Sequence, residues 1–486
     1  VSSARDVLRT MAGLAHEADA STFLLPKSAR WILDPQTVVV LGDRGAGKSA
    51  MARFLCEATT PARARLLQEH APLRGGCFDA FSQQGTAHPD ASVLDPLIEA
   101  ATDAGLRSFW IENLAVFFIR AIARIPSALN DPNMSTMLSQ SSDMIADQYV
   151  ASPKAPSHID AMAQRNLLRM FDVIESSLGQ GESPIGATLV YDDLDTVGAF
   201  DITLRTRFIR ALLALWTTLS TRYKRIRAKI FLPADLFDLR QFDTLDTNKL
   251  LARAARIEWD TPSLYRLVLR HLGRDDAARD WLQGQGISYT HIEDGIGWMP
   301  DEVPPEAHRR WLGEIYRPHV VHNGTRGEVS AWIYNRLRDG NGRVSPRSML
   351  TFFRESARAA LAADRQDQRR KPLIVEDTLS AIAKVGTDRV GEIRPVYPWV
   401  DRLEQLRDRV LPLPRAEVEA RLGVDAPSPP RVTDPRDGIT VTADLVRMGM
   451  LTALREGNRI DLPDVFVPHF GVLRRPLSET PRSTPR

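Results

Sequence analysis

The apolar positions of this chain fall into two rhythms. Val38 to Leu41 is a continuous apolar run, and ATLVYDDLDTV, Ala187 to Val197, is another that ends in acids; both have the pattern of strands buried on two faces. Segments 93 to 125 and 158 to 179, and Thr203 to Tyr223, repeat their apolar side chains at helical spacing instead. Arg227 to Pro233 and Ala255 to Trp259 read as two more strands, the second preceded by a helix carrying NKLLARAA. Helix and strand alternate, which predicts an α/β domain of three layers around a mostly parallel sheet over residues 1 to 260. The stretch between the first two strands is longer than one crossover requires, so it predicts a helical insertion over about 84 to 186, with loops at Ser127 to Asp143 and Ala151 to His158. Beyond Trp259 the pattern is helical. It predicts an α-helical lid over 261 to 370, interrupted by an insertion at Gln283 to Glu306, then a winged-helix-like domain over 371 to 475 and a disordered tail over 476 to 486. In the last domain, segments 399 to 411, 414 to 422 and 440 to 454 read as helices, and NRIDLPDVFVPHFGVLRR as strands and wing.

The first strand leads into chemistry. VVVLGDRGAGKSAM places Gly42, Asp43, Arg44, Gly45, Ala46, Gly47, Lys48, Ser49 and Ala50 between a strand and a helix-compatible segment, which completes the pattern G-x-x-x-x-G-K-[ST]. In that order the loop amides and helix N-terminus cradle phosphates, Lys48 reaches the β and γ phosphates, and the Ser49 hydroxyl ligates Mg²⁺. The acids after Tyr191 supply the partner site: Asp192 for Mg²⁺ and Asp193 for polarising the attacking water. Asp195 lies two residues further on, where it either caps the following segment or acts directly. Guanine recognition normally needs Asn-Lys-x-Asp, and Asn248-Lys249-Leu250-Leu251 lacks the Asp, so the expected ligands are ATP and Mg²⁺.

Composition narrows the class. With 43% hydrophobic and 26% charged residues the chain reads as soluble and globular, and 63 basic against 61 acidic side chains leave no global nucleic-acid signature. Its two cysteines, Cys56 and Cys77, make neither a disulfide framework nor a zinc site, and no secretory signal precedes the first strand; the expected location is the cytoplasm. Phe109 to Ile125 is apolar but interrupted by Glu112, Asn113, Arg120 and Arg124, so a buried helix is expected and no membrane association. His291, His308, His319 and His322 lack the spacing of a metal site.

The loop GDRGAGKS, the strand end YDDLD, KIFLPADLF, LLARAARIEWDTPSLYRLVLRHLG and VSPRSMLTFFRESAR together resemble bacterial P-loop ATPases of the AAA and STAND superclass, over approximately residues 22 to 475. The resemblance is to a group with a helical lid and C-terminal winged helix, related to origin-recognition ATPases and sharing the DDLD motif with KAP-type NTPases. It implies that Arg253, with Arg256 as its competitor, is a finger toward a neighbouring subunit's γ-phosphate, and that Arg347 is the lid arginine reaching the phosphates. Arginine suits both tasks because its charge is permanent and its planar donors match phosphate oxygens. Two positions depart from the family pattern. Asp193 stands where vigorous hydrolases carry Glu, and at the end of KIFLPADLF there is no Asn, Thr or Ser, only Pro233, Ala234 and then Asp235. Slow hydrolysis and a nucleotide-gated switch for protein assembly, of the kind found in bacterial defence systems, follow as the leading expectation, with self-association or a protein effector as partner.

The alternative is a DNA-engaged ATPase resembling replication initiators, binding through the winged helix with Arg447, Arg455, Arg474 and Arg475. From Asp401 to Arg475, however, twelve arginines and no lysine meet twelve acids, and phosphate contacts dominate DNA affinity, so charge does not favour it.

Overall fold

The computed structural model describes residues 3–15, 22–56, 76–82, 91–123, 171–172, 174–176, 178–179, 186–197, 202–236, 250, 252–292, 296–316, 328–363, 373–423 and 437–474. The expected loops at 127 to 143 and 151 to 158, most of the helix at 158 to 179, His319, His322, Arg475 and the tail from 476 lie outside the described residues. The chain divides into two units, Leu25–Glu258 and a second formed by Val1–Leu24 with Trp259–Arg486. The boundary expected at 370 falls inside the second unit. Among the described residues no helix is long and apolar enough to cross a membrane. Cys56 and the buried Cys77 are both free thiols.

Helix α1 (Ala4–Ala12) belongs to the second unit; α2 (Ala29–Leu33) opens the first. The first unit is built on a five-stranded sheet of order β2-β3-β4-β1-β5, every pair parallel. Its strands are β1 (Val39–Gly42), β2 (Cys77–Phe81), β3 (Ala187–Tyr191), β4 (Ile226–Pro233) and β5 (Ala255–Arg256). Every residue of β1 and β3 is buried, which is why both read as unbroken apolar runs. Helices α3 (Lys48–Cys56), α4 (Ala91–Ala100), α5 (Asp103–Ala123) and α6 (Ile202–Arg222) accompany the sheet. Strand β5 is shorter than the expected Ala255 to Trp259, and β2 is absent from the sequence reading because Asp79 interrupts its apolar run.

The core of this unit is aromatic. Trp110 of α5 lies 4.4 Å from Phe208 of α6, 5.4 Å from Phe81 and 5.8 Å from Tyr191, centroid to centroid. Its indole Nε1 donates to Phe208 O at 3.0 Å, so the polar end of the ring is satisfied inside an apolar cluster. Stretch 109 to 123 is therefore part of a domain helix, as its charges require.

A lysine is buried in the same unit. Lys229 of β4 has no exposed surface and donates to Asp34 O at 2.5 Å and Thr37 O at 2.6 Å, tying down the segment that leads into β1. Burial pushes its pKa down to about 7, with Cys77 and Asp34 opposing. Between that value and the ordinary 10.5 the unfolded chain holds more protons than the folded one, so stability rises with pH across this window and is lost as pH falls toward 7. Lys229→Met removes this dependence and leaves the two carbonyls without their donor. Melting curves from pH 7 to 9 are expected to show the parent gaining on the variant with each unit, by at most about 1.4 kcal/mol; a gap that does not change with pH would disprove the assignment.

The second unit is mainly helical: α7 (Thr261–Leu272), α8 (Asp276–Gly284), α9 (Pro305–Ile315), α10 (Val329–Leu337), α11 (Pro346–Ala362) and α12 (Val375–Ile393). Between α8 and α9 the expected insertion contains an antiparallel hairpin, β6 (Tyr289–Ile292) and β7 (Gly297–Pro300), held by Arg270 of α7, which donates to Ile296 O at 2.6 Å and to Trp298 O. The C-terminal part holds the parallel pair β8 (Val410–Leu411) and β12 (Leu473–Arg474), and a sheet of β9 (Leu413–Pro414), β10 (Thr452–Leu454) and β11 (Arg459–Asp461) in the order β10-β11-β9. Helices α13 (Arg415–Gly423) and α14 (Gly438–Arg447) lie between β9 and β10 in sequence, and α15 (Val467–Phe470) follows.

Two helix readings are corrected here. The helix expected over 440 to 454 stops at Arg447, because Gly449 takes φ +74 and 452 to 454 pair as a strand. The helix expected over 399 to 411 is a 3₁₀ segment, Pro398–Leu406, followed by β8.

Close backbone approaches join the helical and C-terminal parts. A Cβ on Gly340 would lie 2.2 Å from Leu451 O, and one on Gly386 would lie 2.1 Å from Val465 O. Asp339, almost fully buried, accepts from Arg389 at 3.1 Å between these two approaches. Gly340→Ala must separate the turn from residue 451 and is expected to lower stability by about 1–3 kcal/mol, readable as a fall in denaturation midpoint.

Candidate functional site

In open parallel sheets, ligand sites form beyond the carboxyl ends of the strands. Here β1, β4 and β3 are neighbours in register, with Gly42 opposite Pro233 and Tyr191 opposite Ile230. The segments after these three strands therefore emerge side by side.

The loop after β1 is shaped by its glycines. Gly45 and Gly47 have φ +73 and +95, a region that side chains disfavour. A Cβ on Gly47 would meet no atom within 4 Å, so open space faces its backbone, while a Cβ on Gly42 would come within 3.0 Å of Lys48 Cγ. The first hydrogen bond of α3 runs from Met51 N to Gly47 O, which leaves the amides of Lys48, Ser49 and Ala50 without intrahelical acceptors. Lys48 Nζ donates to Gly42 O and Asp43 O, both at 3.1 Å, folding its side chain back over the loop. Burial lowers the Lys48 pKa, and the carboxylates of Asp195, Asp235 and Asp192 oppose that shift.

Across the sheet edge stands Asp192, 4% exposed, its amide donating to Phe81 O at 2.7 Å. Burial, then the adjacent Asp193 charge, push its carboxyl up to about 6; a side-chain hydrogen bond with Ser49 and the Lys48 charge act the other way. Asp193 is held in the left-handed region at φ 55 and starts a 3₁₀ turn, Leu194–Thr196, in which its carbonyl accepts from Thr196 N at 3.0 Å and Thr196 Oγ1 at 2.6 Å. The structure thus places Gly42 to Ala50 and the pair Asp192 and Asp193 at the carboxyl ends of β1 and β3.

Asp195 lies inside the 3₁₀ turn Leu194–Thr196. Its carboxylate pairs with Arg44 Nη1 at 3.3 Å, and Arg44 Nε reaches Asp235 Oδ2, also at 3.3 Å. Sequence reasoning assigned Arg44 to the loop and noted Asp235 as the polar residue after β4, but no local signal connects residues 151 and 191 positions apart.

Of the remaining arginines, Arg256 reaches the loop of its own chain, 3.7 Å from Asp43 Oδ1. Arg253 is exposed in the turn before β5 and lines a cavity of about 420 Å³ with Ser28, Trp31, Asp34 and Glu258. Arg347 sits in the first turn of α11, its guanidinium donating to Glu392 at 2.8 Å.

The donor set fits Mg²⁺. Among the described residues no three His, Cys, Asp or Glu side chains converge to form a protein cage. Mg²⁺ usually needs none, because it is held through one or two carboxylates, waters and substrate phosphates. The Ser49 hydroxyl and the buried Asp192 carboxylate, already in contact beside the loop, are such a pair. Comparison with known proteins adds nothing to this geometry: no family model, curated protein or solved structure matches the chain.

Proposed function

We propose that this chain is a Mg²⁺-dependent P-loop ATPase of AAA/STAND type, whose nucleotide state gates assembly with itself or with a protein effector. The observation that carries the reading is the glycine loop after β1, with positive φ at Gly45 and Gly47 and Lys48 folded back over it, in a parallel sheet whose order β3-β4-β1 sets the buried Asp192 at the same end. In this reading the amides of Gly45 and of Gly47 to Ala50 receive the phosphates, and Lys48 exchanges the carbonyls of Gly42 and Asp43 for phosphate oxygens. Ser49 and Asp192 hold Mg²⁺, which supplies charge neutralisation at the phosphates. Asp193 accepts a proton from the water that bonds to the γ-phosphorus as the bond to the leaving oxygen breaks. Arg253 is the candidate finger for a neighbouring copy because it is exposed, whereas Arg256 is turned to its own loop; Arg347 must leave Glu392 to serve as a lid arginine.

A second reading, DNA engagement, draws support from the C-terminal order β9-α13-α14-β10-β11 and its three-stranded sheet, the arrangement expected of a winged helix. Its cations argue against it. Arg447 pairs with Asp444 at 2.6 Å, Arg421 with Glu417 at 2.9 Å, Arg415 with Glu419 at 2.7 Å, and Arg474 with both Asp461 and Asp464. Arg455 belongs to the turn between β10 and β11, not to a helix inserted in a groove.

ATP turnover by the full chain, with and without duplex DNA and with Lys48→Ala as the blank, tests both readings. Slow turnover indifferent to DNA and absent from the variant supports the switch; turnover stimulated by DNA moves the second reading to the front. No nucleotide binding by the parent would refute both.

A further inference from the structure

Resting on the nucleotide reading above, we infer that Arg44 sets the preference of this site for a nucleoside triphosphate over a diphosphate, by neutralising Asp195 and Asp235 at the sheet edge where the terminal phosphate must enter. The difficulty it resolves is one of charge. Asp192, Asp195 and Asp235 all act electrostatically on Lys48, so a phosphate chain drawn to Lys48 approaches three carboxylates as well, with Asp193 adjacent. A triphosphate carries more negative charge than a diphosphate and suffers more from each uncompensated carboxylate. Mg²⁺ at Ser49 and Asp192 leaves the other two acids to be neutralised from within the chain.

Arg44 is built for that task. Its guanidinium spans two strands' ends, Nη1 on Asp195 Oδ2 and Nε on Asp235 Oδ2, each at 3.3 Å, and the three side chains are only 18%, 22% and 12% exposed. At such burial solvent screens poorly, and loss of one partner leaves charge that water does not cover. Asp235 is fixed in place from the loop side, since Ala234 N donates to Gly42 O at 3.1 Å. Its other oxygen, Oδ1, is buried with no hydrogen-bond partner among the described residues, so Arg44 is the ion-pair partner that the described residues give this carboxylate. Arg44 acts through the acids, as a positioning and selectivity residue.

The test is calorimetric titration of the full chain, in Mg²⁺, with ADP and with the non-hydrolysable imido analogue of ATP. The readout is the ratio of the two dissociation constants, which a merely structural role would not move. Arg44→Ala is expected to shift that ratio about tenfold toward ADP. Arg44→Ala combined with Asp235→Asn is expected to recover most of the shift, and Asp235→Asn alone to move the ratio toward the triphosphate. The single Asp235→Asn change is nearly isosteric, so it carries the test even if Arg44→Ala lowers the melting temperature too far to titrate. Equal weakening of both nucleotides in Arg44→Ala, an unchanged ratio in Asp235→Asn, or a double variant no better than the single one would overturn the inference while leaving the ATPase reading intact. A parent protein that binds neither nucleotide overturns both.

Discussion

Lys48→Ala is expected to abolish ATP turnover, lowering it at least about a hundredfold, with no loss of the folded state. The structural reason lies in what Lys48 touches. It makes two hydrogen bonds, both to carbonyls of its own loop, and it is the cation on which the charges of Asp192, Asp195 and Asp235 converge. Alanine removes the ammonium that the phosphates need and leaves those three acids facing the loop. The folding contribution is smaller, about 1 kcal/mol for a hydrogen bond to a carbonyl. Turnover and thermal melting measured on the same preparation separate the two: lost turnover with a cooperative melting curve lowered by only a few degrees supports the assignment, and turnover equal to the parent's removes Lys48 from the phosphate site.

Asp193→Asn is expected to retain nucleotide binding and to reduce turnover by about 10²–10⁴, the usual contribution of a positioned base. This substitution isolates the carboxylate cleanly. Asp193 occupies φ 55, a region that Asn adopts as readily as Asp, and the carbonyl that receives Thr196 is backbone and survives the change. Removing the charge also relieves Asp192 of one of the two effects that push its pKa up. Binding of the imido analogue and single-turnover hydrolysis distinguish the outcomes. If the variant binds and hydrolyses like the parent, the water-activating acid is another residue, and Asp235 with its buried, unpartnered oxygen is the next candidate.

What was legible in the sequence follows from how each feature is encoded. The glycine loop is a run of consecutive residues whose glycines satisfy local backbone demands, so Gly42 to Ala50 could be placed without knowing the fold. Strands β1 and β3 were legible because burial on both faces forces an apolar run, and β4 because its second half, Ile230 to Pro233, is such a run. Strand β2 was not, since Asp79, bonded to Ser82 at 2.6 Å, breaks that run. The helix drawn through Leu454 failed for a different reason: its apolar periodicity continues past Gly449, but the chain turns there and the same apolar residues serve a strand. The β6–β7 hairpin is stabilised by Arg270, a partner on another element, and no local pattern announces it.

The sequence by itself determined a glycine loop of pattern G-x-x-x-x-G-K-[ST] between a buried strand and a helix, a second strand ending in acids, and a near-even balance of basic and acidic side chains. These are properties of neighbours along the chain, or of sums over it. Only the tertiary structure decided that Arg44 bridges Asp195 and Asp235, that Arg256 turns to Asp43, and that Arg447 and Arg474 of the C-terminal part pair with its acids. Those pairings join residues brought together by strand order, by helix packing and by hairpin closure. Charge and spacing in a linear sequence list the groups available, but which cation meets which acid depends on distances that exist only after the chain has folded.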